Sequence, residues 1–273
     1  MVVLAVDVGN TTTNFGVFQK GRLRAQFLMA TQPPREARRV AGQIGRLARA
    51  KRIRLDRAEQ ALICSVVPQM TPAVAGALRA LGVGQVRVVG LDVRVPLKNR
   101  YRYPKQVGQD RLVGAYAALK AYKRDCIVCD FGTAITIDVV RAEKARQRSE
   151  SAIRNPQSAI TSGAYLGGII APGLGISLDA LATRTALLPK VKLKEPPELL
   201  GRDTANSIRS GVLYGCVALC DGLVAQLKRR YAPKAVVVAT GGASPLIAKR
   251  ARTIDHLKPH LVLEGLYRLS IRK

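Results

Sequence analysis

The chain has 273 residues, 48% of them apolar, enough to bury one large core or two of moderate size. It has no unbroken apolar run of about 18 residues, and Asp7 stands where the core of a signal peptide would continue; the reading is a cytoplasmic protein that neither spans a membrane nor is exported. A formal charge of +27 would suit a nucleic-acid surface, but the basic residues are spread along the chain and aromatic residues reach only 4% with no Trp, so a solvated basic surface that binds nucleic acid only nonspecifically is expected.

The first stretch, Leu4 to Phe18, reads as an apolar strand reaching Asp7, a turn rich in Gly, Asn and Thr, and an apolar strand going back. Gly9 has no Cβ, which lets backbone N–H groups approach phosphate oxygens, and Asp7 is placed to hold a hydrated Mg²⁺ against them. An ordinary hairpin has the same turn composition, so the tip alone does not decide. Arg35 to Lys51 then sets Ala37, Val40, Ala41, Ile44, Leu47 and Ala48 at the spacing of one helical face, with the arginines mostly on the other, so a surface helix packing on the first sheet explains them without any ligand. Ala61 to Ser65 reads as a strand, Val66 to Leu81 as the helix after it, and Val86 to Val89 as a short apolar run; the first half ends near Asn99.

Tyr101 to Arg111 is a polar stretch feeding an apolar helix from Leu112 to about Tyr122. Asp110 falls at or just before that helix start. There it is either an N-cap or, with Gly108, Gln109 and Arg111, part of a site for a carboxylated substrate whose hydroxyl must lose a proton.

Ile127 to Asp138 repeats the opening pattern, with Asp130-Phe131-Gly132-Thr133 at its tip. A second apolar strand, Val236 to Thr240, precedes a helical pattern from Ala243 to Ala251, as the Ala61 strand does in the first half. Between them, Arg141 to Ser162 is rich in Arg, Ser and Gln and reads as a mobile loop. Leu166 to Gly173 is a strand into a Gly/Pro turn, followed by a helix with Leu178, Leu181 and Ala182 that ends near Thr185. Gly201 to Gly211 reads as a polar loop entering a helix from Gly211 to Arg229, whose stripe of Ile208, Val212, Cys216, Leu219 and Leu223 suits core or dimer packing.

Cys126 and Cys129 spell C-x-x-C, but on a strand they point to opposite faces, and Cys216 and Cys220 share a helix face with no further Cys or His cluster. All five cysteines are expected to pack. Pro259 spoils a helical pairing of His256 with His260, and no Gly-x-x-x-x-Gly-Lys-Ser/Thr loop is present, so a zinc site, a Ser-His-Asp hydrolase and a P-loop are unsupported.

The two similar halves, 1–112 and 113–273, resemble the α/β, duplicated ribonuclease-H-like fold of acetate and sugar kinases, Hsp70 and actin, which implies two Asp-x-Gly tips across one cleft. In order along nearly the whole chain, six motifs further resemble type III pantothenate kinase, the CoaX family. They are Asp7-Val8-Gly9-Asn10-Thr11, Tyr101 with Pro104 and Gly108-Gln109-Asp110-Arg111, Asp130-Phe131-Gly132-Thr133-Ala134, Gly167 to Gly173, Thr185-Ala186-x-Leu188-Pro189, and Asp203-Thr204 through Ser210-Gly211.

That resemblance implies ATP-dependent phosphorylation of pantothenate, the first step of coenzyme A biosynthesis, by a homodimer. It implies that Asp7, Val8, Gly9, Asn10, Thr11, Thr12, Thr13 and Asn14 embrace the ATP phosphates, with Thr133 a further ATP contact. Asp130 would bind a monovalent cation, K⁺ or NH₄⁺, beside the Mg²⁺ that accompanies ATP. Tyr101, Gly108, Gln109, Asp110 and Arg111 would hold pantothenate, with Thr185 as a further contact and Asp110 as proton acceptor. Family members usually cross from the Asp130 hairpin to the Gly167 strand by a tight turn, whereas here the connection is long and basic. A transcriptional accessory or nucleic-acid-binding relative, and a phosphohydrolase of the same superfold, are the alternatives.

Overall fold

The first sheet follows from alternation of apolar residues around a short turn. In the computed structural model, which describes residues 1–32, 36–143 and 162–272, β1 (Val2–Val8), β2 (Thr12–Gln19) and β3 (Arg22–Ala30) form an antiparallel meander, and α1 (Ala37–Ala50) follows. β4 (Gln60–Ser65) pairs parallel to β1, α2 (Thr71–Ala80) follows it, and β5 (Gln85–Val88) pairs parallel to β4. After β6 (Lys98–Asn99) comes α3 (Gln109–Tyr122). The second hairpin is β7 (Cys126–Phe131) with β8 (Ala134–Glu143), then β9 (Ser162–Pro172) and α4 (Leu174–Arg184). The long α5 (Thr204–Tyr231) leads to β10 (Val236–Thr240), α6 (Ser244–Ala248), β11 (His256–Leu257) and α7 (Leu261–Ser270).

The first sheet has the order β3-β2-β1-β4-β5, and the second runs β9-β8-β7-β10-β11 in the same sense, with β6 added outside β9. Each copy has two antiparallel pairings followed by two parallel ones. That is one topology used twice. Parallel pairs need a crossover, which α2 and α6 help to supply.

The chain divides into two compact units, one of Met1–Leu97, Tyr101–Ala117 and His260–Lys273, the other of Lys98–Arg100 and Ala118–Pro259. The division expected at 112/113 falls five residues later in the same helix, between Ala117 and Ala118 of α3, and the C-terminal helix α7 returns to the first unit. The reason is apolar burial: Val262, Leu263, Leu266 and Leu269 of α7 pack with Val113 and Tyr116 of α3 on the sheet face that carries Val3, Ala5, Leu62 and Cys64. The opposite face of that sheet packs Leu4, Val6, Phe15 and Ile63 against Val40, Ile44 and Ala48 of α1 and Val74 and Leu78 of α2.

In the second unit, Ile127, Cys129, Phe131, Ile135 and Ile137 pack against Leu213, Cys216, Cys220 and Val224 of α5 and Ile247 of α6. By length and composition α5 would pass for a membrane span, yet this stripe of it is buried in the core of the unit. All five cysteines are free and buried, as their placement suggested.

Several boundaries move. The stretch read as a polar loop at Gly201 to Gly211 is largely the first two turns of α5, because Asp203 caps it by accepting from the Asn206 amide at 2.8 Å. That bond holds the exposed Asp203 carboxyl below its usual range. The helix expected from Val66 starts only at Thr71. Arg141–Glu143 and Ser162, expected in a mobile loop at 141–162, are strand residues of β8 and β9; the rest of that loop, 144–161, lies outside the described residues, as does Arg35 at the expected helix start.

Candidate functional site

Asp7 is the penultimate residue of β1, on the face that carries Val3 and Ala5. Its direct neighbours across the sheet are Asn14 on β2 and Cys64 on β4. Asn14 is fixed by Gln26, whose side-chain amide donates to Asn14 Oδ1 at 2.7 Å. Between the strands, the Gly9 amide donates to the Thr12 carbonyl at 3.0 Å, closing the tip, and a Cβ on Gly9 would sit 3.1 Å from that same oxygen. Asn10, Thr11 and Thr12 are exposed there.

Two residues of the expected phosphate stretch face away. Val8 is buried in the core on the α1/α2 side, and only its backbone is available at the tip, where its carbonyl accepts from Val66 at 3.0 Å. Thr13 is fully buried and shares a 3.0 Å hydroxyl bond with Thr31. Strand alternation dictates this: residues 12 and 14 share a face with Asp7, and residue 13 does not.

The start of α3 brings the second set of residues to the same face. Asp110 lies inside the first turn of α3, not at its N-cap position as one reading had it, because the helix already begins at Gln109. Its Oδ1 accepts from the Arg111 amide at 2.8 Å. Burial pushes the Asp110 carboxyl up, and the Arg111 amide and guanidinium pull it partly back. Cys64, fully buried, has its thiol pushed well up by burial first and then by the charges of Asp7 and Asp110. Asp7 is the cross-strand neighbour of Cys64, and Asp110 reaches the end of the same strand through Gly108, which lies against both Asp110 and Val66.

Glycines make room around them. A methyl on Gly108 would collide with Asp110 Oδ1 and come within 3.5 Å of Val66. Gly90, at φ +90°, packs on Gln109, whose side-chain carbon would be 3.1 Å from a Cβ there. Tyr101 is half-buried ahead of the short Pro104–Gln106 turn, with Val107 buried beneath.

In the second unit Asp130 is the penultimate residue of β7 as Asp7 is of β1, opposite Thr136 and Thr240. Gly241, at φ +90°, and Gly132 flank its carboxylate; a Cβ on Gly241 would meet Asp130 Oδ1, and one on Gly132 would lie 3.3 Å from it. Thr133 is exposed at the hairpin tip, and Gly173, the N-cap residue of α4, abuts the Gly132 and Thr133 carbonyls with no space for a side chain. Thr185 is exposed at the C-terminus of α4, its hydroxyl donating to the Leu181 carbonyl at 2.7 Å.

Sequence reasoning missed the polar group behind Asp130. Asp138 is buried, its Oδ1 accepting from the Tyr165 hydroxyl at 2.8 Å and its Oδ2 from Thr136 at 3.3 Å. The signal was present as an Asp in the middle of an apolar strand, which needs partners to be buried at all. Among the described residues no group of three or more His, Cys, Asp or Glu is placed to cage a metal.

The chain is 39% identical over 275 residues to a type III pantothenate kinase of Rubrobacter xylanophilus, covering 97% of this chain and 96% of the relative. It is 35% identical over 271 residues to one of Syntrophotalea carbinolica, covering 99% of each. Among solved structures, the ethanolamine utilization protein EutJ of Carboxydothermus hydrogenoformans superposes at a TM-score of 0.53 with 17% identity, over 98% of this chain and 90% of that one. The fold is the duplicated ribonuclease-H-like fold of the acetate and sugar kinase, Hsp70 and actin superfold. With the sequence profile of type III pantothenate kinases matching residues 3–147 and 158–226, the chain belongs to the type III pantothenate kinase family.

Proposed function

We propose that this chain transfers the γ-phosphoryl group of ATP to the primary hydroxyl of pantothenate, giving 4′-phosphopantothenate at the first step of coenzyme A biosynthesis in the cytoplasm. The observation that carries the reading is that, within one unit, Gly108 packs between Asp110 and Val66 just past the end of β4, the strand that pairs with β1 beside Asp7.

In this reading the tip from Asp7 to Asn14 receives the ATP phosphates: Thr11 and Thr12 offer hydroxyls, Asn14 an oriented amide, and the loop of Gly9 and Asn10 its backbone. Val8 and Thr13 support the tip from the core. Asp110 accepts the proton of the attacking hydroxyl, and a carboxylate raised by burial is a better base than a solvated one. Arg111 pairs with the pantothenate carboxylate, and Tyr101, Gly108, Gln109 and Thr185 complete the pantothenate site. Thr133 is a further ATP contact.

Carboxylate and hydroxyl donors at Asp7 suit a Mg²⁺ carried in on ATP, since that ion is held by one or two carboxylates plus phosphates. Asp130, flanked by two glycines that leave no side chain against its carboxylate, offers a K⁺ or NH₄⁺ ion one carboxylate ligand. Such cations offset charge on the transferred group. We also propose a homodimer, supported by a face of α5 on which Gly211, Gly215, Ala218 and Gly222 are exposed and the three glycines have open space beside them.

ADP release measured with and without pantothenate tests the activity. Release that depends on pantothenate is expected. Equal release without it would mean a phosphohydrolase, and none in either case would mean a non-catalytic relative.

A further inference from the structure

The outward face of α1 has no role in the proposed site, and its charge is all of one sign. Arg38, Arg39, Arg46 and Arg49 on the helix and Lys51 and Arg52 just after it are all exposed. None of the six side chains makes an ion pair or hydrogen bond with a described residue, whereas the neighbouring Arg54 is held by Asp56 at 2.7 Å. The helix itself contains no acidic residue; Glu36, its exposed N-cap residue, and Asp56 are the flanking acids.

Basic residues at a helix C-terminus suit the helix dipole, which accounts for Arg49 and Lys51. It does not account for Arg38 and Arg39 in the first turn, where that dipole disfavours positive charge. Four guanidinium groups spread over about 16 Å of one helix face repel one another and are retained without a local partner.

The partner class follows from what accompanies the charges. Val40, Ile44 and Ala48 are already buried in the core, with Ala41 and Leu47 packed against it, so no apolar half of the helix is left to enter a membrane. No exposed aromatic or large aliphatic residue stands among the arginines to anchor a protein partner. A phosphate backbone needs charge alone, and guanidinium groups grip phosphate oxygens two at a time. About 16 Å of duplex axis presents roughly five phosphates on each strand, which matches the length of the arginine row.

We propose that the outward face of α1, with Arg38, Arg39, Arg46 and Arg49 at its centre, is a docking surface for the phosphate backbone of a nucleic acid, bound without regard to sequence. This differs from a diffuse attraction to the net charge because it has an address.

The test is fluorescence anisotropy with a labelled duplex of about 30 base pairs over roughly 50 to 200 mM NaCl. Replacing the four arginines by Gln keeps helix propensity. Affinity is expected to fall at least tenfold, and the log–log salt slope to lose about 3.6 units, at close to 0.9 per phosphate contact. A control removing four exposed charges elsewhere, Arg229, Arg230, Lys194 and Lys249 to Gln, is expected to change affinity less than threefold. Should the α1 variant melt early, the pair Arg46→Gln and Arg49→Gln gives the same ordering with half the slope change. Equal losses in the two variants, or wild-type protein that does not bind the duplex, would overturn the proposal. So would binding to phosphatidylserine–phosphatidylcholine vesicles in place of DNA.

Discussion

Gly108→Ala separates the position of the proposed base from its chemistry. Gly108 directly precedes α3 and its φ is not in the left-handed region, so its backbone accepts alanine without strain. The added methyl falls on Asp110 Oδ1, with Asp110 Cγ and Val66 Cγ1 next at 3.5 Å. Val66 closes the other flank, so the methyl stays where it is and the carboxylate retreats, by about 1 Å to regain an ordinary contact. A displacement of that size at a reacting group costs about 10²-fold in rate, or about 2.7 kcal/mol of barrier. The expected result is kcat for ADP release lowered by about 10²-fold, with KM for ATP within about twofold and the melting temperature nearly unchanged. Gly90→Ala is the contrast, because at φ +90° the residue itself is strained and the cost of about 1–3 kcal/mol appears in stability. A folded Gly108→Ala protein with wild-type kcat would show that Asp110 needs no such placement, and the base would lie elsewhere.

Asp110→Asn is expected to keep ATP and pantothenate binding but lose about 10²-fold or more in kcat. Burial raises the native-state pKa of Asp110 above its ordinary 3.8, so the stability it contributes is present below that value and lost as pH rises through the raised one. The Asn variant is therefore expected to melt higher than wild type near neutral pH and alike in acid, and the acid limb of wild-type kcat/KM to lie above the ordinary carboxylate value; a lower-melting Asn variant at neutral pH would contradict this. Activity is expected to be poor in Na⁺ and restored by K⁺ or NH₄⁺, with Asp130→Ala abolishing the response; equal rates in both buffers would remove the cation site. Tyr165→Phe takes a 2.8 Å donor from buried Asp138 and is expected to cost about 1–3 kcal/mol in urea unfolding, with no change measured counting against the pair. Light scattering at micromolar concentration is expected to give a dimer, and a monomer would leave the small-residue face of α5 unexplained.

Much of the fold was legible because its repeat is marked locally: an apolar strand, Asp-x-Gly, and a returning strand occur twice, each followed by a parallel strand and a helix. β3 escaped notice although Leu23, Ala25, Phe27 and Met29 alternate with Arg22, Arg24 and Gln26. It is an edge strand, where charge on the open side is an asset, and so it reads as polar. The first turns of α5 were misread for a related reason. Asp203, Thr204, Asn206 and Ser207 are cap and first-turn residues, and their composition is also that of a loop. No local signal sends α7 back to the first unit, since its apolar pattern fixes a helix but not the sheet it covers.

The site divides along the same line. Within one strand the period of two is enough to show that the side chains of Thr12 and Asn14, and not that of Thr13, share a face with Asp7. Across strands it was not: Cys64 reads correctly as a packing thiol, yet its place beside both Asp7 and Asp110 depends on the β1–β4 register and on where α3 lands. Register is set by the cores on both sheet faces, because a slip of one residue would turn Leu62 and Cys64 into the α1/α2 layer and Ile63 out of it. The approach of the two carboxylates is therefore held by packing over the whole sheet. A cavity-forming change at Leu62, distant in sequence from either Asp, is therefore expected to weaken the alignment that the proposed proton transfer to Asp110 requires.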